Sequence, residues 1–515
     1  MMKKLIYKAL KFIGLILILN NGVAFAQEEG TRCLTFDQTL EITRQNSHVM
    51  KQMEYLLNEK KQENIAAKGY YLPKVGITAS YMLLSDNLHL DLTPVKNAIT
   101  PIYGALGNYG VFSGVPNPDP ATNKVMPILP DNISTQVVRQ NFTDGLAQLE
   151  AANWDETIQK KEFGTVAATF QWPLYAGGKI RAANAVTAIE SKEAVEQARQ
   201  KDAELISELV ERYFGLCLAQ QALYVRTDVL NGMQKHLDDA LKMERQGLIA
   251  NAEVLHARVY HAEAEREVNK AQRTLNILND ALLNSMAIDT FIEIKPVSSL
   301  FYLDSIEPVK YFTHLASQNS PLIKQVDAKK ELSLQNYKVQ VSEFLPTVAL
   351  QGMYDIANKD LSPYMPDWTV GIGLKWNLFD GELRYKKIRA ASFKAQQVDE
   401  YKAKATSDLN TIVNKLYQEL EMNREQLSEL EISMQFAEEY LKVREKAFYQ
   451  DMSNSAEVMD ARLALAKVSI ERLQTMYNYD LTLARLLQYC GIPDQFNAYR
   501  TKNDVKTEEY KPIND

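Results

Sequence analysis

Residues 368–381 read Trp-Thr-Val-Gly-Ile-Gly-Leu-Lys-Trp-Asn-Leu-Phe-Asp-Gly. Trp368, Val370, Ile372, Leu374, Trp376 and Leu378 alternate with Thr369, Gly371, Gly373, Lys375 and Asn377. That period of two describes a β-strand with one apolar face and one polar or small face. Past Gly381 the pattern changes. From Glu382 to Cys490 there is neither glycine nor proline. Proline costs about 3 kcal/mol inside a helix and glycine about 1, so their absence over such a length argues for long helices. The richness in Ala, Leu, Glu, Lys, Gln and Arg agrees.

The same unit occurs earlier in the chain. Trp172, Leu174 and Gly177 return as Trp376, Leu378 and Gly381. Asn251-Ala252-Glu253-Val254 returns as Ser455-Ala456-Glu457-Val458, and Ala257-Arg258 as Ala461-Arg462, all at one constant offset. Asn46-Ser47 and Leu72-Pro73 return as Asn319-Ser320 and Leu345-Pro346, at a second and longer offset. The first copy therefore carries an insertion between Leu72-Pro73 and Trp172. Two copies make a duplicated domain rather than a solenoid.

Each copy is expected to open with a helix, at 36–69 and 308–343. Two strands follow, at about 73–83 and 163–175 in the first copy and 346–355 and 367–379 in the second. A helical hairpin closes each copy. Its long arms are read at 179–246 and 382–450, and its short arms at 252–286 and 456–490. At 1.5 Å per residue these arms are roughly 100 and 50 Å long. The hairpins turn at Gly247-Leu248-Ile249-Ala250-Asn251 and at Asp451-Met452-Ser453-Asn454-Ser455. Gly247 suits a C′ position, and Asn251 or Ser455 an N-cap. The copies span 27–286 and 307–491, with a linker at 287–306 and a tail at 492–515 that is charged and expected to be disordered after Arg500. The insertion, about 84–156, holds seven of the 17 prolines. It joins the first two strands and reads as a surface loop.

The N-terminus reads as a secretory signal over residues 1–26. Lys3, Lys4, Lys8 and Lys11 precede the apolar run 12–19 and the Ala24-Phe25-Ala26 cleavage motif. Its removal takes four lysines and moves the net charge from −7 to −11. The acidic balance argues against a nucleic-acid partner. Cys33, Cys217 and Cys490 form no zinc spacing. A Cys33–Cys490 disulfide is one reading of the pair that brackets the two copies, and free buried thiols the other. Six scattered histidines form no metal cluster, and no cofactor, metal or catalytic constellation is expected.

No long apolar run follows the signal, so any membrane crossing must use the strands. A soluble sheet with one buried face is the competing reading. The tryptophans favour the membrane: all four lie in or beside the strands, and Trp172, Trp368 and Trp376 fit an interfacial aromatic belt. Four strands cannot close a barrel. Two copies would supply eight and three would supply twelve. Thr369, Gly371 and Gly373 would face the lumen, where close strand packing accounts for their size.

With the duplication, the Asn-Ser pairs, the Leu-Pro pairs, the two aromatic-Gly segments (Trp172-Pro-Leu-Tyr-Ala-Gly-Gly and Trp376-Asn-Leu-Phe-Asp-Gly) and the Ala-Glu-Val tips in hand, the chain resembles the TolC family of outer-membrane factors. No single motif is specific, but the ordered set is. The resemblance implies a mostly α protein with a transmembrane β part. Its duplicated protomer would give four strands of a trimeric 12-stranded outer-membrane barrel above a long periplasmic α-helical barrel. It also implies a homotrimer working with a periplasmic adaptor and an inner-membrane pump of RND or ABC type.

The same resemblance puts Glu457 and Asp460 at the closed periplasmic mouth, with Glu253 at the matching position of copy one and His256 where a second acid would stand. Rings of carboxylates around a narrow pore favour cations. Capping is the plainer account of Glu253 and Glu457, since an acid in the first turn of a helix is stabilising anyway. Gly247, Leu248, Asn251, Asp451, Ser453 and Asn454 form the turns that an adaptor would meet. Where relatives carry a latching tyrosine and arginine, this chain holds Phe448 and Ser453, neither of which is expected to make the charged contacts. Tyr449, Arg444 and Lys446 are the substitutes at hand. The leading functional expectation is a passive exit duct for efflux or type I secretion. A periplasmic coiled-coil scaffold that never enters a membrane is the alternative.

Overall fold

A computed structural model describes residues 30–450 and 452–507. The signal read at 1–26, Asp451 and the last residues of the tail lie outside the described residues. In chain order the elements are β1 (Arg32–Leu34), α1 (Phe36–Asn46), α2 (His48–Lys68), β2 (Lys74–Leu83), β3 (Leu88–Asp91), α3 (Thr93–Tyr109), α4 (Asp131–Ala151), β4 (Asp155–Gln159), β5 (Glu162–Ala176), α5 (Lys179–Arg245) and α6 (Asn251–Ser285). Then come β6 (Ile294–Pro296), β7 (Phe301–Leu303), α7 (Val309–Asn319), α8 (Pro321–Ser342), β8 (Thr347–Lys359), β9 (Trp368–Lys375), α9 (Leu383–Tyr449), α10 (Ser455–Tyr489), α11 (Gln495–Arg500) and β10 (Val505–Thr507). Among the described residues no helix is long and apolar enough to cross a membrane. The chain divides into two compact units. One holds the residues up to Ala67, Ala182–Tyr337 and those from Lys386 on, and the other Lys68–Arg181 and Lys338–Tyr385.

The first unit is helical. Its core gathers on the middle of α5 and α9 and the C-terminal ends of α6 and α10, where short strands and helices cover them. β1 runs parallel to β6, and β7 antiparallel to β10. Phe36, Phe214, Phe301 and Phe496 stack there with ring centroids 5.5–6.5 Å apart. The Tyr213 hydroxyl donates to the Leu34 carbonyl at 2.7 Å and accepts from the amides of Val297 and Ser298 at 3.1 and 3.0 Å. Asp480 is buried in the same core and accepts from the Phe301 amide at 3.4 Å. Burial pushes its carboxyl well above the ordinary range. The three cysteines are free, and Cys33 is exposed while Cys217 and Cys490 are buried.

Three sequence expectations for this unit need correction. Each opening helix is two helices, broken at Ser47 and Ser320 within the Asn-Ser pairs. Both serines take nearly the same extended conformation, φ −51 and −57, and Pro321 then starts α8. At the second break the chain passes close to Gly491, whose φ is +72. A side chain there would strike the Asn319 carbonyl. The tail is ordered as far as Thr507, because β10 pairs with β7.

The second unit is a four-stranded antiparallel sheet, ordered β2-β5-β8-β9, with its insertion. β8 is longer than the sequence suggested and β9 shorter, since the ladder ends where Lys375 pairs with Thr347. Register places Val75, Phe170, Gly352 and Val370 in one row and Ile77, Ala168, Tyr354 and Trp368 in the next. A side chain at 352 would come 2.9 Å from the Phe170 ring, so the glycine gives that ring its place. Pro173 can sit inside β5 because the register shifts there.

The insertion is folded rather than a plain loop. α3 and α4 pair through Tyr103 and Phe142, whose rings are 5.3 Å apart, and β3 pairs with β4. Two of its prolines suit that fold, with Pro94 in the first turn of α3 and Pro130 at the N-cap of α4, while Pro101 stands inside α3. Its root is tied to the β8–β9 connection by Gln159, which donates to the Asp360 carbonyl at 2.8 Å and accepts from the Ser362 amide at 2.7 Å. Trp154 belongs to this insertion, its indole donating to Leu149 at 2.7 Å, and not to the belt.

Candidate functional sites: the strand belt and the hairpin tips

Along β9 and just beyond it, Trp368, Val370, Ile372, Leu374 and Trp376 are 55–70% exposed on one face. Val75, Ile77 and Tyr81 of β2 are 64–77% exposed on the same face. So much apolar side chain turned outward marks a surface that meets something other than water. Trp368 and Trp376 bound it. Eight residues of strand span roughly 26 Å, close to the apolar band of an outer-membrane barrel.

Trp172 and Trp376 are also anchors. The indole of Trp172 donates to the Tyr71 carbonyl at 2.9 Å, and that of Trp376 to Phe344 at 3.0 Å. The acceptors are themselves repeat equivalents, each standing just before its Leu-Pro pair. The opposite face carries Thr369, Gly371 and Gly373. Packing within the protomer does not explain these glycines. A side chain at 371 would meet nothing within 4 Å, and one at 373 makes only ordinary contact with Gln351.

At the first tip α5 ends in a Schellman turn. Leu248 N donates to Met243 O at 2.9 Å, Gly247 N to Glu244 O at 2.8 Å, and Gly247 takes φ +72. Glycine adopts that conformation without steric cost. The N-cap of α6 is Ala250, which offers no side-chain bond. Asn251 is the first helical residue instead of the expected cap. Glu253 lies in the first turn. Below the turn, Ala240, Val254 and Ala257 pack without exposed surface to speak of.

At the second tip the cap also falls one residue earlier than Ser455. Asn454 accepts the Glu457 amide at 2.9 Å. The Glu457 carboxylate takes the Arg444 guanidinium at 2.5 Å and the Ser453 hydroxyl at 2.8 Å. Arg444 lies over the Tyr440 ring, 5.1 Å from its centroid. Ser453 thus joins a charged contact after all, as an uncharged donor. Tyr449 reaches Asp239 on α5 at 3.5 Å, and Phe448 is buried against His236. Further along, Arg462 pairs with Glu445 and Arg472 with Glu431, binding α10 to α9. The Arg472 bond holds Glu431 below its usual carboxylate range.

The sequence-selected acids do not all converge. Glu253 and Glu457 share a recess of about 460 Å³ between the two turns, with Met243, Ile249, Phe448 and Met452. Asp460 stands outside it, exposed, accepting from Tyr260 of α6 at 3.4 Å. Sequence reasoning missed His236, which bonds Ser455 across 219 residues of chain. No local pattern marks it. Among the described residues, no cluster of His, Cys, Asp and Glu could hold a metal ion.

Residues 313–492 match the family described as outer membrane efflux protein. No curated protein matches in sequence. The fold is shared with solved outer-membrane proteins. The outer membrane protein VceC of Vibrio cholerae is 14% identical, with 88% of this chain and 96% of that one covered at a TM-score of 0.62. The Campylobacter jejuni CmeC outer membrane channel is 11% identical, covering 93% and 94% at 0.62. The open-state MtrE outer membrane channel of Neisseria gonorrhoeae is 11% identical, covering 89% of each chain at 0.64. The second repeat thus carries the efflux-protein pattern, and the whole chain has the fold of outer-membrane channels.

Proposed function

We propose that this chain, which carries that pattern on that fold, is a protomer of a passive outer-membrane exit duct. Three copies would close twelve strands in the outer membrane, and their hairpins would enclose a periplasmic tunnel. A periplasmic adaptor and an inner-membrane pump of RND or ABC type would open it, for efflux or type I secretion. One observation carries the reading. The four-stranded sheet has an outward apolar face bounded by tryptophans, and among the described residues nothing pairs with the outer side of β2 or β9. An open edge is not tolerated in hydrocarbon, so copies must complete one another.

The tips form the mouth in this reading. Asp460 is the acid available to a lumen, whereas Glu457 is engaged with Arg444 and Ser453 inside the protomer. Glu253 lines the recess between the turns. The turn residues Gly247, Leu248, Asn251, Ser453 and Asn454 are the surface offered to the adaptor.

The test is single-channel current in a planar bilayer. Wild type should give small cation-selective openings. The double variant Glu457→Gln, Asp460→Asn should conduct more at rest and lose sensitivity to divalent cations. A double variant indistinguishable from wild type removes these acids from the mouth. A protein that stays dispersed without detergent reverses the whole reading and promotes the periplasmic scaffold.

A further inference from the structure

His236 lies near the C-terminal end of α5, and only 9% of it is exposed. Its Nε2 is 2.5 Å from the hydroxyl of Ser455, the buried first residue of α10. Its ring packs 4.7 Å from that of Phe448, in the last turn of α9. One imidazole on the first repeat therefore touches both arms of the second repeat where they turn.

The surroundings of this ring favour its uncharged form. A recess of about 110 Å³ adjoins it. On its own helix Lys235 and Asp239 face that recess, from α9 Glu445 and Tyr449, and from α10 Arg462. Both carboxylates are engaged: Glu445 holds Arg462, and Asp239 holds Lys242 at 2.9 Å and the Tyr449 hydroxyl at 3.5 Å. The guanidinium of Arg462, a residue 8% exposed, lies against Gly232, where any side chain would displace it. A second cation on the imidazole would be buried beside that guanidinium. Burial lowers the His236 pKa below its ordinary value, Arg462 lowers it further, and Asp239 opposes both.

We propose that His236 ties the two repeats together at the tip only while it is neutral, so that acid loosens the tip. The tie is complete above the unfolded histidine value, near 6.5, and is lost as pH falls below it. What loosening achieves rests on the duct reading, where it makes the mouth easier to open in acid. The loosening itself does not depend on that reading.

The experiment is amide hydrogen exchange on the full-length, detergent-solubilised protein at pH 7.5 and 5.5. Protection factors remove the chemical pH dependence of exchange. In wild type, protection over 446–460 should fall by up to about tenfold at pH 5.5, while 473–487 in the main core, where burial raises the Asp480 carboxyl, should hold or rise. His236→Gln, which can still bond Ser455 but does not titrate there, should show no fall. Ser455→Ala should be less protected already at pH 7.5 and respond less to acid, which guards against a Gln variant that misfolds. Equal wild-type protection at both pH values, or the same fall in His236→Gln, overturns the inference. A tip that loosens in acid in a protein that passes no current would sink the duct reading alone. A conducting protein whose tip ignores acid would sink this inference alone.

Discussion

The two tips occupy equivalent places in the repeat and share one closing backbone bond, yet what surrounds that bond differs. The first uses backbone. Gly247 takes a left-handed conformation, amide groups close the turn, and the N-cap Ala250 offers nothing. The second has the matching bond, from Met452 N to Ala447 O at 2.9 Å, and adds side chains. Asn454 caps the helix, Glu457 gathers Arg444 and Ser453, and Arg462 is buried against Glu445. A backbone turn responds to little besides temperature. A turn held by charged side chains responds to pH, salt and bound partners. The duplication has kept the geometry while making one hairpin stiff and the other tunable.

Five substitutions probe that contrast, each read as the free energy of local opening by hydrogen exchange at the tips. Arg462→Met should cost the most, about 3 kcal/mol, at the low end for breaking a buried pair because Glu445 keeps some contact with water. Its repeat equivalent, Arg258, is exposed, so Arg258→Met should change stability by less than about 0.5 kcal/mol. Equal losses at the two sites would erase the contrast. Gly247→Ala comes next, at about 1–2 kcal/mol for forcing a side chain into the left-handed region, with the loss confined to the first tip. The smallest effects are a pair of opposite sign. Asn454→Ala should lose about 1 kcal/mol, and Ala250→Asn should gain up to about that much by giving the first tip the cap it lacks. No gain from Ala250→Asn would mean that the first turn is set by its backbone alone.

The strands and the long helices were legible because their signals are local. Alternation of apolar and small residues marks β9, and the stretch without glycine or proline leaves helix as its natural state. The one-residue slip at the caps has a physical source. Asn454 and Ser455 are both good capping residues, so composition cannot choose between them, and the Asn251 equivalent was drawn along with Ser455. The breaks at Ser47 and Ser320 were overlooked because a serine costs little inside a helix. Pro321 was the available clue, since the residue before a proline avoids the helical region. Proline density made the insertion look like loop, although Pro94 and Pro130 stand at helix starts, where proline is tolerated. The site was less readable than the fold. Glu457 and Asp460 could be selected by position, but nothing in their spacing says that one turns to α9 and the other to α6. His236 depends on a fold that joins residues 219 positions apart.

The bare edges of β2 and β9 have a consequence for inheritance within an assembly. In the duct proposed here, a lone protomer has no stable residence in the bilayer, because each unpaired backbone group in hydrocarbon costs several kcal/mol. Subunits must therefore find each other before or during insertion, and a finished assembly has no route for trading one copy for another. Its composition is fixed when it is made. A faulty allele expressed beside a sound one would be shuffled into most assemblies at synthesis and stay there, so damage to one gene copy would spread well beyond its share of the protein.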